Sequence, residues 1–123
     1  MRRVILESPY AGNSSWRPVA LFQRARNRRY ARAAVRDSLM RGEAPQASHL
    51  LYTQPGILRD GIASERQQGI DAGLAWLATA EASVVYVDWG ISKGMAFGIE
   101  AARSAGIPVE FRALKRKKIN GTP

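Results

Sequence analysis

The chain has 123 residues, of which 46% are hydrophobic and 24% are charged, an ordinary composition for one folded domain with a single core. It contains no cysteine and one histidine, His49, which excludes disulfides, thiolate nucleophiles, cysteine-based zinc sites and multi-histidine metal centres. The formal net charge of +9 favours anionic partners such as nucleotides, nucleic acids or acidic proteins.

No apolar run in the sequence approaches the roughly 18 to 20 residues that span a bilayer. The first residues, Met1–Glu7, contain an apolar run far too short for a signal peptide. We therefore expect a cytoplasmic protein with no membrane partner.

The first predicted elements are a strand, a long helix and a second strand. The nearly continuous apolar run Arg3–Glu7 (RVILE) indicates a short strand, and the loop-forming residues Ser8–Ser15 follow it. Apolar spacing predicts a helix over Pro18–Arg41, which Gly42 ends. The predicted buried stripe of this helix is Val19, Phe22, Ala25, Arg29, Ala33 and Met40, with Tyr30, Ala34 and Leu39 beside it. The apolar run Ser48–Thr53 (SHLLYT) predicts the second strand.

The second half of the chain alternates helix and strand. Ser64 and Gln67 have the spacing of a capping box at the start of a helix. The buried residues predicted for that helix are Ile70, Leu74 and Leu77. The β-branched and aromatic run Ser83–Asp88 predicts a central strand that is buried on both faces. A helix capped by Ser92 is predicted to follow, and Pro108–Ala113 predicts a fourth strand.

Strands that alternate with helices imply right-handed crossovers and a parallel sheet with helices on both faces. We predict a flavodoxin-like or Rossmann-like three-layer α/β sandwich over residues 1–114, with four or five strands in the order 2-1-3-4, and a basic flexible tail over 115–123. In that order strands 1 and 3 flank a switch point, and ligands bind outside their carboxyl ends. The loops 8–13 and 88–94 are therefore expected to form a binding site.

The segment Gly90–Gly94 (GISKG) opens the predicted third helix. Free N–H groups at a helix start hold anions, the Ser92 hydroxyl can donate a hydrogen bond, and Lys93 adds positive charge. A plain N-cap explains Ser92 equally well. The G-x-S-x-G spacing also matches a serine-hydrolase elbow, for which a single histidine on another strand is a poor partner. The predicted substrate-binding residues are Ser8, Tyr10, Gly12, Trp89, Gly90, Ser92, Lys93, Gly94 and Met95.

Polar and aromatic side chains near the strand ends each allow two interpretations. Asp88 ends the central strand, where it can hydrogen-bond sugar hydroxyls, act in acid–base catalysis or cap loop amides. Glu7 ends the first strand, with the same options or an arginine partner. Tyr10 and Trp89 either stack on a base or pack within the domain, and His49 is predicted to be structural and hydrogen-bonded.

Four segments together resemble a small phage and bacterial branch of the nucleoside 2-deoxyribosyltransferase-like family. They are SPYAG, ASHLLYTQPGILRD, SERQQGIDAGLAWL and VYVDWGISKGMAFGIEAARSAGIPVEF, and the similarity runs from about Val4 to Leu114. The resemblance implies a flavodoxin-like domain and cleavage or exchange of the N-glycosidic bond of nucleosides or nucleoside monophosphates. It also implies homodimers or larger homo-oligomers whose subunits complete each other's sites. We expect no cofactor and no metal.

The sequence departs from the family where the resemblance implies a nucleophilic glutamate, early in the helix after the glycine loop. Counting back from the last strand places Gly98 there, and counting on from the glycine loop places Ala96. Neither side chain can attack a sugar. Glu100 lies about 12 Å along the helix from its cap, at roughly 1.5 Å per residue, and either acts in catalysis or pairs with Arg103. The candidate catalytic residues are Glu100, Asp88 and Glu65, with Asp60 as a further carboxylate.

Three functions are consistent with the sequence. The first, which we favour, is an enzyme acting on the N-glycosidic bond, where a carboxylate near the anomeric carbon is needed. The second is a catalytically inactive protein that binds or sequesters a nucleotide, for instance a phage protein acting against host signalling. The third and least favoured is a nucleic-acid-binding protein that uses the arginine-rich first helix and the basic tail, although no recognised binding motif accompanies them.

Overall fold

The structure is a computed structural model that describes residues 1–115. Its elements, in chain order, are β1 (Arg2–Glu7), α1 (Arg17–Met40), β2 (Glu43–Gln46), α2 (Ser48–Leu51), α3 (Ala63–Leu77), β3 (Ala82–Tyr86), α4 (Lys93–Ser104) and β4 (Val109–Arg112). Apart from Lys115, the predicted basic tail lies outside the described residues. Within residues 1–115, no helix combines the length and the apolar character that crossing a membrane requires.

The four strands form one parallel sheet in the order β2-β1-β3-β4, which confirms the predicted α/β fold and strand order. β1 and β3 are the central pair, and Glu7 at the end of β1 lies opposite Val85 of β3. All five residues of β3 are buried, as expected for a strand covered on both faces. The carboxyl ends of β1 and β3 therefore lie side by side, and the loops that follow them leave the same edge of the sheet.

Two sets of apolar side chains pack on opposite faces of the sheet, because successive strand residues point to opposite sides. On one face, Val4, Leu6, Val84 and Tyr86 pack with Tyr30 and Ala34 of α1. On the other face, Ile5 packs with Leu77 of α3 and Ala102 of α4, and Val85 packs with Met95 and Ile99 of α4. Glu7, which follows Ile5 by two residues, belongs to the face that α4 covers.

A buried ion-pair network stabilises the other end of β1. Glu43 is the first residue of β2. The Arg112 guanidinium donates one hydrogen bond of 2.7 Å to each of its two carboxylate oxygens. Arg2 Nη2 donates to Glu43 Oε2 at 2.6 Å, and Ser38 Oγ donates to Oε1 at 2.8 Å. The Arg112 bonds, together with Arg2 and Ser38, outweigh burial and lower the pKa of Glu43 to about 2. This network joins β2, β1, β4 and α1.

The predicted buried stripe of α1 is largely wrong, although the extent of the helix is close to the prediction. Phe22 and Met40 are each 69% exposed, and the buried residues are instead Asn27, Tyr30, Ala31, Ala34 and Ser38. This stripe is small and polar because α1 hydrogen-bonds to the loops and to Glu43 as well as packing on the sheet. Apolar spacing alone therefore selected the wrong face.

The predicted second strand over Ser48–Thr53 is also wrong. β2 comes earlier, at Glu43–Gln46 (EAPQ), directly after Gly42 turns the chain with a φ of 82°. β2 is an edge strand that pairs with β1, so it can contain Pro45 and few apolar residues. Ser48–Leu51 form α2 instead, whose Leu50 packs against the core.

The sequence predicted the N-terminal cap of α4 correctly and that of α3 wrongly. The capping box at Ser64 is wrong, since α3 begins at Ala63 after Ile62, which makes no side-chain cap. Leu77 is buried as predicted, whereas Leu74 is 37% exposed and Ile70, which lines the cavity described below, is 39% exposed. The predicted cap of α4 is confirmed, with Ser92 Oγ accepting from the Met95 amide at 3.3 Å.

Candidate functional site

A cavity of about 1190 Å³ opens at the carboxyl ends of β1 and β3. The loops after both strands line it, together with residues of α1, α2 and α3. The volume exceeds the 300–1,000 Å³ typical of small-molecule sites, so it accommodates a nucleotide with room for solvent. The two loops predicted to meet at the switch point do share this one cavity.

The loop after β1 is held in place by α1. The buried side chain of Asn27 donates from Nδ2 to the carbonyl oxygens of Tyr10 and Ala11, at 3.1 and 3.4 Å. Gln23 Oε1 accepts from the amides of Asn13 and Ser14, at 2.9 and 3.2 Å. Sequence analysis missed Asn27 and Gln23. The available signal was a polar residue at helical spacing from Tyr30 and Ala31, on the face that proves to be buried.

An arginine–tryptophan contact ties the loop after β3 to α1. The Arg26 guanidinium lies 4.0 Å from the centre of the Trp89 ring, a cation–π contact, and its Nη2 donates to Asn27 Oδ1 at 3.1 Å. Trp89 is 53% exposed, so much of its surface stays open. Tyr10, Arg26 and Trp89 all line the cavity. Tyr10 and Trp89 therefore bring apolar surface to the cavity lining, and Arg26 brings a positive charge.

The N-terminus of α4 also faces the cavity. Ser92 Oγ serves as the N-cap, as the plain structural interpretation expected, and its hydroxyl hydrogen is still able to donate to a ligand. Lys93 and Gly94 line the cavity, and Lys93 is exposed. Helix N-termini favour anions because their first N–H groups have no intrahelical acceptor. This wall therefore combines an amide cluster, a hydroxyl and a positive charge.

Glu7 contributes a carboxylate to the cavity from the end of β1. Burial raises its pKa to about 7, because the charged form loses solvation. Within residues 1–115 no arginine forms an ion pair with Glu7, so the alternative of an arginine partner is not what the structure contains. A carboxyl group with this pKa exchanges its proton near neutral pH.

Ser8 and His49 form a hydrogen-bonded pair in the cavity wall. Ser8 Oγ lies 2.6 Å from His49 Nε2, which agrees with the prediction of a hydrogen-bonded histidine. Burial lowers the pKa of His49 to about 4, so the imidazole is neutral at pH 7. His49 belongs to α2 and not to a strand, and its contact with Ser8 fixes α2 against the end of β1.

Two of the three predicted catalytic carboxylates do not line the cavity. Asp88 accepts hydrogen bonds from Tyr30 Oη at 2.5 Å and from the amides of Leu114 and Lys115 at 2.8 and 3.0 Å. Burial opposes its ionisation, but these bonds outweigh burial and hold the pKa of Asp88 below its ordinary value. Asp88 thus caps loop amides, one of the alternatives considered.

Glu100 is exposed on α4 and does not line the cavity. Within residues 1–115 it forms no ion pair with Arg103, and its contact is a 3.5 Å hydrogen bond from Ser104 Oγ. Glu65 does line the cavity, where it accepts hydrogen bonds from the amide and Nε of Arg59 at 3.0 and 3.2 Å. Asp60 lines it as well.

The predicted substrate-binding residues lie together. Eight of the nine line the cavity, namely Ser8, Tyr10, Gly12, Trp89, Ser92, Lys93, Gly94 and Met95. Gly90 is the exception, since it forms the turn before α4 with a φ of 80°. The predicted binding residues therefore lie around one cavity, and of the three predicted catalytic carboxylates Glu65 lines it while Asp88 and Glu100 do not.

The chain belongs to the family described as "Domain of unknown function (DUF7768)", whose model matches residues 2–112. No curated protein sequence matches it significantly. Among solved structures it is similar to a 2-deoxyribosyltransferase from the psychrotolerant bacterium Bacillus psychrosaccharolyticus, with a TM-score of 0.60 and 18% sequence identity over 96% of this chain and 77% of the other. This likeness supports a distant relationship of fold, and membership of the deoxyribosyltransferase-like family stays a prediction.

Proposed function

We propose that this protein binds a nucleoside or nucleotide in the cavity and cleaves or exchanges its N-glycosidic bond. The observation that carries the proposal is that aromatic surface, positive charge and a carboxyl group of near-neutral pKa line one cavity. These match the base, the phosphate and the sugar of a nucleotide. The structural likeness to a 2-deoxyribosyltransferase supports the same class of ligand.

The N-terminus of α4 is the proposed phosphate site. The amides of Lys93 and Gly94 have no intrahelical acceptor, the Ser92 hydroxyl hydrogen is available, and the Lys93 side chain is exposed beside them. Arg26 and Arg66 line the same cavity and add two more positive charges. A nucleoside monophosphate is therefore favoured over an uncharged nucleoside.

The base and sugar are assigned to the side of the cavity between the two loops. Tyr10 and Trp89 offer aromatic surface on which a nucleobase can stack. The sugar then lies near the carboxyl ends of β1 and β3, where Glu7 lines the cavity. Hydrolysis and base exchange both begin with cleavage of the bond from the anomeric carbon to the base. The acceptor that follows, water or a second base, decides between them.

A nucleotide-binding protein without catalysis is the second candidate. The observation that favours it is that α4 has no carboxylate at either position where the resemblance implies one, because Ala96 and Gly98 stand there. The aromatic surface and the positive charges of the cavity are unaffected by this absence. Measurement of binding and of base release on the same samples separates the two candidates.

We also propose that the protein forms a homodimer or larger assembly. Several apolar side chains of α1 and α3 outside the cavity lining are exposed in the single chain: Leu21, Phe22, Leu74 and Trp76. Exposed apolar surface of this kind is typical of protein–protein contacts. Light scattering at micromolar concentration tests the assembly, and the mass of a monomer would contradict it.

The experiment for the main proposal is isothermal titration with nucleosides and nucleoside monophosphates, ribose and deoxyribose, beside chromatography for the released base. We expect the monophosphates to bind more tightly than the matching nucleosides and to lose their base. Lys93→Ala should weaken monophosphate binding by about 0.3–1 kcal/mol. Arg103→Ala is the matched control, since it removes a cation from the other end of α4, outside the cavity lining.

Each outcome distinguishes the candidates. Micromolar binding without base release favours the binding protein over the enzyme. Absence of both binding and release contradicts the assignment of the cavity to nucleotides. Equal binding of nucleosides and monophosphates contradicts the phosphate site at α4 but leaves the base and sugar assignments in place.

A further inference from the structure

The Glu7 carboxylate occupies space beside α4 that a side chain at position 98 would need. A β-carbon built on Gly98 would lie 2.7 Å from Cδ and 3.1 Å from Oε1 of Glu7, and closer still to Oε2. Real β-carbons do not approach other atoms at 2.7 Å. The Glu7 carboxylate, the flexible end of its side chain, would therefore have to move if position 98 carried a side chain.

Gly98 has no explanation in the backbone of α4. It lies in the interior of the helix, Lys93–Ser104, and it is not one of the glycines with a positive φ. Glycine inside a helix costs about 1 kcal/mol relative to alanine. The close approach of Glu7 accounts for glycine at this position, because any other residue would displace the carboxylate.

Glu7 is itself destabilising where it lies. Within residues 1–115 it forms no ion pair, and burial is the cause of its raised pKa, about 7. A poorly solvated carboxylate and a helix-interior glycine are two unfavourable features at one point of the cavity wall. Such features persist where function requires them.

On the basis of the proposed function, we propose that Glu7 is the catalytic carboxyl group of the cavity, supplied by β1 in the space that Gly98 leaves free beside α4. In the first step, protonated Glu7 donates its proton to a ring nitrogen of the base. The bond between the anomeric carbon and the base breaks, and its electron pair stays on the base. In the second step, water adds to the anomeric carbon and gives a proton to the Glu7 carboxylate. The products are the free base and the sugar hydroxyl, and Glu7 is protonated again.

Glu7 sets the pH dependence of this cycle, although other ionisable groups also line the cavity. The other ionisable side chains that line it are Tyr10, Arg26, His49, Tyr52, Asp60, Glu65, Arg66 and Lys93. His49 has lost its proton well below pH 7, since its pKa is lowered to about 4. Because Glu7 must start protonated, kcat/KM should fall as pH rises through about 7.

The test compares base release and nucleotide binding for the full chain and two variants, Glu7→Gln and Glu100→Gln. Glu7→Gln keeps the size of the side chain and removes its exchangeable proton. We expect it to lower kcat by about 10²–10⁴-fold, with the Kd for the same monophosphate unchanged within about threefold, and to abolish the fall of kcat/KM near pH 7. Glu100→Gln, the control on the exposed face of α4, should behave as wild type in all three measurements.

Several results would contradict the assignment. Wild-type base release that survives in Glu7→Gln removes Glu7 from the chemistry and leaves the proposed function standing. Loss of release in Glu100→Gln with retention in Glu7→Gln assigns the chemistry to α4 instead. A covalent sugar ester on Glu7, found by mass spectrometry, contradicts the proton cycle. If wild type binds monophosphates but releases no base, the proposed reaction and the role of Glu7 both fail, and nucleotide binding alone survives.

Discussion

Two glutamates at opposite ends of the central sheet differ in what surrounds them. Glu43 begins β2, beside the start of β1, and its carboxylate accepts hydrogen bonds from Arg112, Arg2 and Ser38. Glu7 ends β1 and has no ion pair within residues 1–115. The pKa of Glu43 is lowered to about 2 by its partners, whereas burial raises the pKa of Glu7 to about 7.

The two glutamates differ because the two ends of a parallel sheet have different surroundings. At the amino end, ion pairs join Glu43 of β2 to Arg2 of β1 and Arg112 of β4. These two guanidinium groups balance the negative charge of the Glu43 carboxylate. At the carboxyl end, the strands open into the cavity, where a ligand can bind. A carboxylate with partners stabilises the fold, while one left without partners retains an exchangeable proton near neutral pH. The comparison therefore predicts opposite responses to mutation and to pH.

The largest expected effect comes from Arg112, whose side chain is only 7% exposed. Arg112→Ala leaves the buried Glu43 carboxylate with Arg2 and Ser38 as its remaining partners, and removal of one member of a buried pair typically costs 3–5 kcal/mol. We expect a loss of about 3 kcal/mol in the free energy of unfolding, measured by urea denaturation. Arg103→Ala, an exposed arginine on α4, is the control and should change it by less than about 0.5 kcal/mol. Equal effects of the two variants would mean that the network contributes nothing specific.

The second prediction is a pH dependence with opposite sign at the two glutamates. Glu7 binds its proton more tightly in the folded state, so its contribution falls as pH rises from about 4.5 to about 7. Glu43 binds its proton less tightly when folded, so its contribution is lost as pH falls from about 4.5 to about 2. Glu7→Gln should therefore stabilise the protein above pH 7, by at most about 3 kcal/mol at about 1.4 kcal/mol per pKa unit.

Urea denaturation of wild type and Glu7→Gln between pH 5 and pH 8 provides the measurement. The difference between the two proteins should grow across this range and level off above pH 7. A difference that does not depend on pH would show that Glu7 is ionised throughout, as Glu43 is, and the contrast between the two residues would be lost.

The third prediction concerns the space beside Glu7. In a Glu7→Gly background, Gly98→Ala should stabilise the protein by up to about 1 kcal/mol, because alanine is the better helix former. In wild type the same substitution should stabilise it less, because the new β-carbon overlaps the Glu7 carboxylate and displaces it. A double-mutant cycle by thermal unfolding measures the difference between the two backgrounds. Additive effects would mean that the two positions do not compete for one space.

Sequence predicted the parts of this fold that depend on local patterns. The β-branched run of β3, the Ser92 cap of α4 and the strand order all follow from short stretches of residues and from the alternation of elements. The prediction of β2 was wrong, because its sequence contains a proline and a glutamate whose partners include Arg112, 69 residues away. The prediction of the buried face of α1 was wrong for the same reason, since its polar residues hydrogen-bond to distant loops and to Glu43.

The sequence predicted the position of the candidate site, but of its three candidate catalytic carboxylates two, Asp88 and Glu100, lie outside the cavity lining. The loops after β1 and β3 are specified by topology, so the binding residues on them could be named from the sequence. The choice of Asp88 and Glu100 relied on closeness in sequence to the glycine loop. Glu7 and Gly98 are far apart along the chain, and their relation depends on the packing of α4 against the end of β1, which no local pattern encodes.

The smallest expected effect is at Glu100, a third kind of glutamate, which is exposed and forms no ion pair in the part of the chain that the structure describes. Glu100 follows Gly98 by two residues, and residues two apart point to nearly opposite sides of a helix. It therefore faces solvent, away from the Glu7 side of α4, in agreement with its exposure. Glu100→Gln should change the free energy of unfolding by less than about 0.5 kcal/mol. Urea denaturation of wild type and Glu100→Gln provides the measurement. An effect as large as that of Glu7→Gln would mean that the side chain at position 100 is buried. The distinction between the two faces of α4, on which the assignment of Glu7 rests, would then have to be abandoned.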